Sequence, residues 1–167
     1  SHEDLLPSTA QLDRIHNMYP ADRKTPLKEK DVPEQIPQQA QVKAQWNFTS
    51  AAGGWKAVDG SCNIENVGGA LRVTPIGEEA MFELDAIGVD ISSSPYIRLK
   101  LKSNASTKVT MWYTTDFATQ ISQERKINRY TKEKTEIVLP IGIYVRQWQG
   151  MLGTLRFGFN GEVEIET

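Results

Sequence analysis

Few side chains in this 167-residue chain have the types and spacing that covalent chemistry requires. Both histidines, His2 and His16, lie near the N-terminus, and the single cysteine is Cys62. Nucleophilic catalysis needs a base beside the nucleophile, so the long remainder of the chain holds no Ser-His-Asp or Cys-His site of its own. One cysteine excludes an internal disulfide framework and a cysteine-built zinc site; within the strand-like stretch 61–66, Cys62 reads as a small core residue. Glycoside hydrolysis asks only for two carboxylates, about 5–5.5 Å or about 6.5–9.5 Å apart according to mechanism. Glu78, Glu79, Glu83, Asp85, Asp90, Asp116 and Glu124 are available, but no spacing singles out a pair. Glu162, Glu164 and Glu166 recur at every second position and so share one strand face, which reads as a solvated face that discourages edge pairing. Gly53-Gly54 and Gly68-Gly69 read as turn glycines and have no likeness to a phosphate-binding loop.

The elements that must position these residues divide the chain in two. Pro7, Pro20, Pro26, Pro33 and Pro37 crowd the first forty residues, whereas every glycine lies from Gly53 onward. Residues 1–45 therefore read as an extended arm, too polar to offset its own ordering entropy. One short helix is expected near 9–19, capped by Ser8, carrying Leu12, Ile15 and Met18 or Tyr19, and stopped at Pro20. From Trp46 the period changes to two. Ile97, Leu99 and Leu101 alternate with Arg98, Lys100 and Lys102, and Val109, Met111 and Tyr113 alternate with Thr110, Trp112 and Thr114. Turn signals such as Asp59-Gly60, Ser103-Asn104 and Asn160-Gly161 recur at short intervals. Residues 46–167 are accordingly expected to form an all-β domain, an antiparallel jelly-roll-type β-sandwich.

The order of its motifs is more specific. Trp46-Asn47-Phe48 is followed by Gly54-Trp55, Gly69-Ala70-Leu71-Arg72-Val73, Met111-Trp112-Tyr113-Thr114-Thr115-Asp116, Trp148-Gln149-Gly150, Leu155-Arg156-Phe157 and Gly161-Glu162-Val163-Glu164-Ile165. This series resembles the galactose-binding-like β-sandwich of many carbohydrate-binding modules. It departs from the family's usual turn after the Leu-Arg strand, reading Gly158-Phe159-Asn160-Gly161. The resemblance implies a non-catalytic accessory module of a larger secreted or cell-surface protein, extracellular or periplasmic, with a polysaccharide or glycan as ligand. The arm would then join it to parent-protein domains. Similar sandwiches often hold one structural calcium ion; the sequence assigns it no ligands, and no other cofactor is implied.

Sugars present apolar C–H faces and many hydroxyls, so an aromatic ring flanked by polar side chains suits them. If the apolar residues point inward, Trp112 points outward beside Arg98, Lys100 and Thr110 and becomes the expected platform. Arg125, Tyr130 (expected on a loop) and Arg156 complete the candidate contacts. Trp46, Trp55 and Trp148 read instead as core or rim packing. The competing reading is a structural or protein-interaction sandwich that uses its arm and helix for docking. A formal charge of −2 supplies no basic face for nucleic acid, and no apolar run is long enough to span a membrane.

Overall fold

The alternation that begins after Trp46 becomes two antiparallel sheets stacked face to face. The computed structural model describes residues 36–37, 40–48, 52–131 and 136–167. The helix expected near 9–19 lies outside the described residues, as does most of the arm. In chain order the elements are β1 (Lys56–Ala57), β2 (Cys62–Val67), β3 (Ala70–Pro75), β4 (Ala80–Leu84), β5 (Val89–Asp90), β6 (Ile97–Ser103), β7 (Lys108–Thr115), β8 (Lys126–Tyr130), β9 (Glu136–Leu139), α1 (Ile141–Tyr144), β10 (Met151–Phe159) and β11 (Val163–Ile165). The six-stranded sheet runs β1-β4-β10-β7-β8, with β5 paired to the start of β10; the five-stranded sheet runs β2-β3-β11-β6-β9. This is the jelly-roll-type sandwich that the sequence predicts.

The core follows from the pleat. Every second residue of β3, β6, β7, β10 and β11 points between the sheets, burying Leu71, Val73, Leu99, Leu101, Val109, Met111, Tyr113, Leu155, Phe157, Phe159, Val163 and Ile165. Phe82 stands among Trp55, Phe157 and Phe159, with ring centroids 5.2–5.8 Å away. Burying one such side chain is worth about 1.5–3 kcal/mol. Tyr113 meets Trp148 edge to face at 4.8 Å, and the Trp148 indole N–H donates to the Ser94 carbonyl at 2.8 Å. Gly68 and Gly69, at φ +59° and +85°, make the two-residue turn between paired Val67 and Ala70, a conformation other residues enter at a cost.

Two expectations need correction. Tyr130 is not on a loop: it ends β8, paired with Lys108. β8 escapes a pattern search because Ile127 is its only aliphatic side chain and β8 lies at the sheet edge. The glutamate-bearing strand β11 is not an edge either. It lies inside the five-stranded sheet, with Glu164 across from both Arg72 and Lys102. Its glutamates are held by cross-strand partners: Glu164 by Arg72 at 3.3 Å, Glu162 by the Thr74 hydroxyl at 2.9 Å and Glu166 by Lys102 at 4.0 Å.

Candidate binding face on the six-stranded sheet

The alternation of β7 sends Val109, Met111 and Tyr113 into the core and Thr110, Trp112 and Thr114 to the outer face. Strand register then builds a row across five strands. Lys56 lies opposite Glu83, Glu83 opposite Arg156, Arg156 opposite Trp112 and Trp112 opposite Lys126. Two residues singled out in the sequence, Trp112 and Arg156, are thus direct cross-strand neighbours.

The row is tightly bonded. Arg156 donates from Nε and Nη2 to one oxygen of Glu83, at 2.8 and 2.7 Å, and the two side chains are only 23% and 14% exposed. Charge-assisted bonds of this length, screened from water, are stronger than ordinary surface pairs. Beside them Lys56 pairs with Asp85 at 3.0 Å, and the Thr154 hydroxyl donates to the same carboxylate at 3.0 Å. The Lys56 bond and then the Thr154 bond hold the Asp85 carboxyl below its usual range. The Thr114 hydroxyl accepts from the Thr154 amide at 2.9 Å, the Thr110 hydroxyl donates to Asn128 at 2.8 Å, and Lys126 donates to Gln123 at 2.8 Å.

Trp112 points outward as parity requires, but it is not the exposed platform expected. The residue is 6% exposed. β10 carries a glycine beside it, and the indole lies down into that space: a Cβ on Gly158 would come 3.0 Å from Trp112 Cζ3 and 2.9 Å from a Glu79 carboxylate oxygen. Its Nε1–H is buried with no hydrogen-bond partner among the described residues. The ring is therefore the floor of the face.

The other candidates separate. Tyr130 stands on the same outer face, at the far end of β8, and is 52% exposed. Arg98 points outward from β6, but β6 belongs to the other sheet, where Arg98 lies across from Val138. The expectation that it flanks Trp112 fails because parity fixes a side chain's face without saying which sheet carries it. Arg125 precedes β8, donates to the Gln120 carbonyl and lies near Tyr113. Burial pushes the Tyr113 hydroxyl up to about 12, against a smaller opposing pull from Arg125. Sequence reasoning did not single out Lys56 or Asn128, and it named Glu83 only among several acids; their positions follow from pairing register.

Trp55 and Trp148 are buried and Trp46 packs partly against the core. A cleft of about 470 Å³ opens beside them, between residues 36–46 and the sandwich edge, with Arg98 on its lining. There Trp55 meets Trp46 and Phe82, and Trp148 meets Tyr113. Among the described residues no group of three or more His, Cys, Asp or Glu side chains gathers as metal ligands.

No family model matches the chain, and no curated protein matches it in sequence. Solved structures do match in three dimensions. An agarase aligns with a TM-score of 0.51 at 4% identity, over 75% of this chain and 25% of the agarase chain. A low-affinity xylan binding module from Roseburia intestinalis aligns with a TM-score of 0.49 at 9% identity, over 68% and 85% of the two chains. A mutant family 29 carbohydrate binding module gives a TM-score of 0.47 at 15% identity, over 72% and 84%. The likeness is one of fold. Among the described residues no helix is long and apolar enough to cross a membrane.

Proposed function

We propose that this chain is a non-catalytic carbohydrate-binding module that holds a glycan against the outer face of its six-stranded sheet. The observation that carries the reading is the row Glu83–Arg156–Trp112–Lys126. It sets an ion pair, an aromatic floor and an ammonium bonded only to the neutral Gln123 amide in one line, with Thr110, Asn128, Thr114 and Thr154 beside it. Carboxylates accept from sugar hydroxyls, while guanidinium and ammonium groups donate to them. A partly desolvated ion pair and an unpartnered buried indole N–H are costly to maintain for stability alone, which favours a face kept for recognition. The half-exposed Tyr130 ring adds apolar contact at one end. The reading agrees with the family that the sequence resembles.

On this reading the chain serves as an accessory domain of a larger extracellular protein, reached through the arm. Titration calorimetry against soluble cello-, xylo-, manno- and galacto-oligosaccharides tests the binding claim. Saturable binding by the full chain, lost in Arg156→Ala, is the expected result; no heat with any of these sugars at millimolar concentration overturns it.

A further inference from the structure

The turn after β7 presents an aromatic ring for which the core has no use. Phe117 is 74% exposed, yet its backbone is firmly held: Thr115 and Ala118 exchange backbone bonds at 2.9 and 3.2 Å, and the Phe117 amide donates to the Thr115 hydroxyl at 3.1 Å. The ring abuts Gly150, where a Cβ would come 2.7 Å from it and 2.2 Å from an Asp116 carboxylate oxygen. Met151, 43% exposed, follows directly, and its amide donates to Asp116 at 2.9 Å. Opposite Met151 across β5 stands Asp90, whose carboxyl accepts from the Ser92 amide at 2.9 Å. An exposed ring on a hydrogen-bonded turn, with Asp116 beside it and Asp90 across from the neighbouring Met151, has the chemistry of a sugar contact: one surface for C–H groups and oxygens to accept from hydroxyls.

Its position ties it to the face already described. Along β7 the outward residues run Trp112 and Thr114, with Asp116 just past the strand's end, and along β10 Arg156 and Thr154 lead, across the register shift between Leu152 and Leu155, back toward Met151. Four residue steps lead from Trp112 to Asp116, just past the end of β7, about 13 Å at strand rise, which is wider than one pyranose ring. The hydroxyls of Thr114 and Thr154 bridge the interval. We propose that the Phe117–Met151 rim is a second contact station for the same glycan, so that the ligand is a linear, uncharged oligosaccharide lying along β7 and β10. This rests on the proposed outer-face site. The rim acids, Asp90 and Asp116, repel uronate chains.

The test compares calorimetric titrations of the wild-type chain, Phe117→Ala, Phe117→Trp and Arg156→Ala with di- and hexasaccharides from the best-binding series above. The wild type is expected to bind the hexasaccharide more tightly than the disaccharide. Phe117→Ala then loses about five- to tenfold for the hexasaccharide alone, and Phe117→Trp restores it. Equal affinities for both lengths in the wild type, or an unchanged hexasaccharide affinity in Phe117→Ala, overturn the second station while leaving the first site standing. Arg156→Ala should abolish binding at both lengths. If Arg156→Ala binds normally and Phe117→Ala does not, the outer-face reading is the one that fails, and the second station with it. Tighter binding of an oligogalacturonate than of the neutral hexasaccharide overturns the charge assignment.

Discussion

The two outer faces of the sandwich are built on the same alternation and put it to different use. On the five-stranded sheet, Glu65, Arg72 and Glu164 form a ladder whose side chains are 62%, 35% and 33% exposed, and Lys102 and Glu166 continue it in open solvent. On the six-stranded sheet the central ion pair is mostly shielded, and a tryptophan outside the core lies as buried as the core itself. A solvated ladder is cheap to keep and contributes little, whereas a desolvated polar face is costly unless something uses it. On this difference rests the proposal that the six-stranded face is the one kept for recognition.

That contrast can be broken most directly at Trp112. Trp112→Ala is expected to lower unfolding stability by about 3 kcal/mol or more in urea titrations, against under about 0.5 kcal/mol for Lys100→Ala on the other face. Similar costs for both would erase the distinction. Gly158→Ala sharpens the same point: its methyl group presses on the indole at 3.0 Å while the Glu79 carboxylate can swing aside, so a loss of about 1 kcal/mol should accompany weakened glycan binding. Removing the guanidinium in Arg156→Met takes from the shielded Glu83 its two direct hydrogen bonds and leaves only Lys56 across from it, a cost of about 1–3 kcal/mol, with binding lost. Its counterpart Arg72→Met should cost at most about 1 kcal/mol and bind glycan as the wild type does. Beneath the six-stranded face, Tyr113 supplies a pH signature. Its folded hydroxyl titrates near 12, above the ordinary value of 10, so its contribution is fully present below pH 10 and falls away as pH rises toward 12. The alkaline fall in melting temperature should be shallower in Tyr113→Phe, and a tyrosinate absorbance titration should show a late-ionising group that Tyr113→Phe removes.

How much of this was legible in the sequence depends on how local its cause is. Ile97–Lys102 announces a strand because one face is wet and the other dry, and Tyr113 is inward by the same count. β1 is two residues long and β8 has Arg129 where an apolar residue would be expected, so neither gives a period to read. The direction of Trp112 was legible; its burial was not, because that depends on a glycine two strands' worth of chain away that only register brings alongside. The same holds for the partner of Arg156. Phe117 left no pattern at all, being a single ring in a turn, and its significance comes from a backbone that holds it in water.

The placement of β11 between β3 and β6 has a consequence for how the molecule comes together. Until residues 163–165 arrive, the β2–β3 pair and the β6–β9 pair are separate ribbons with open flanks and no hydrogen bonds joining them. A nascent chain emerging N-terminus first must therefore carry two unjoined halves of one layer, each exposing apolar side chains, until β11 closes the seam.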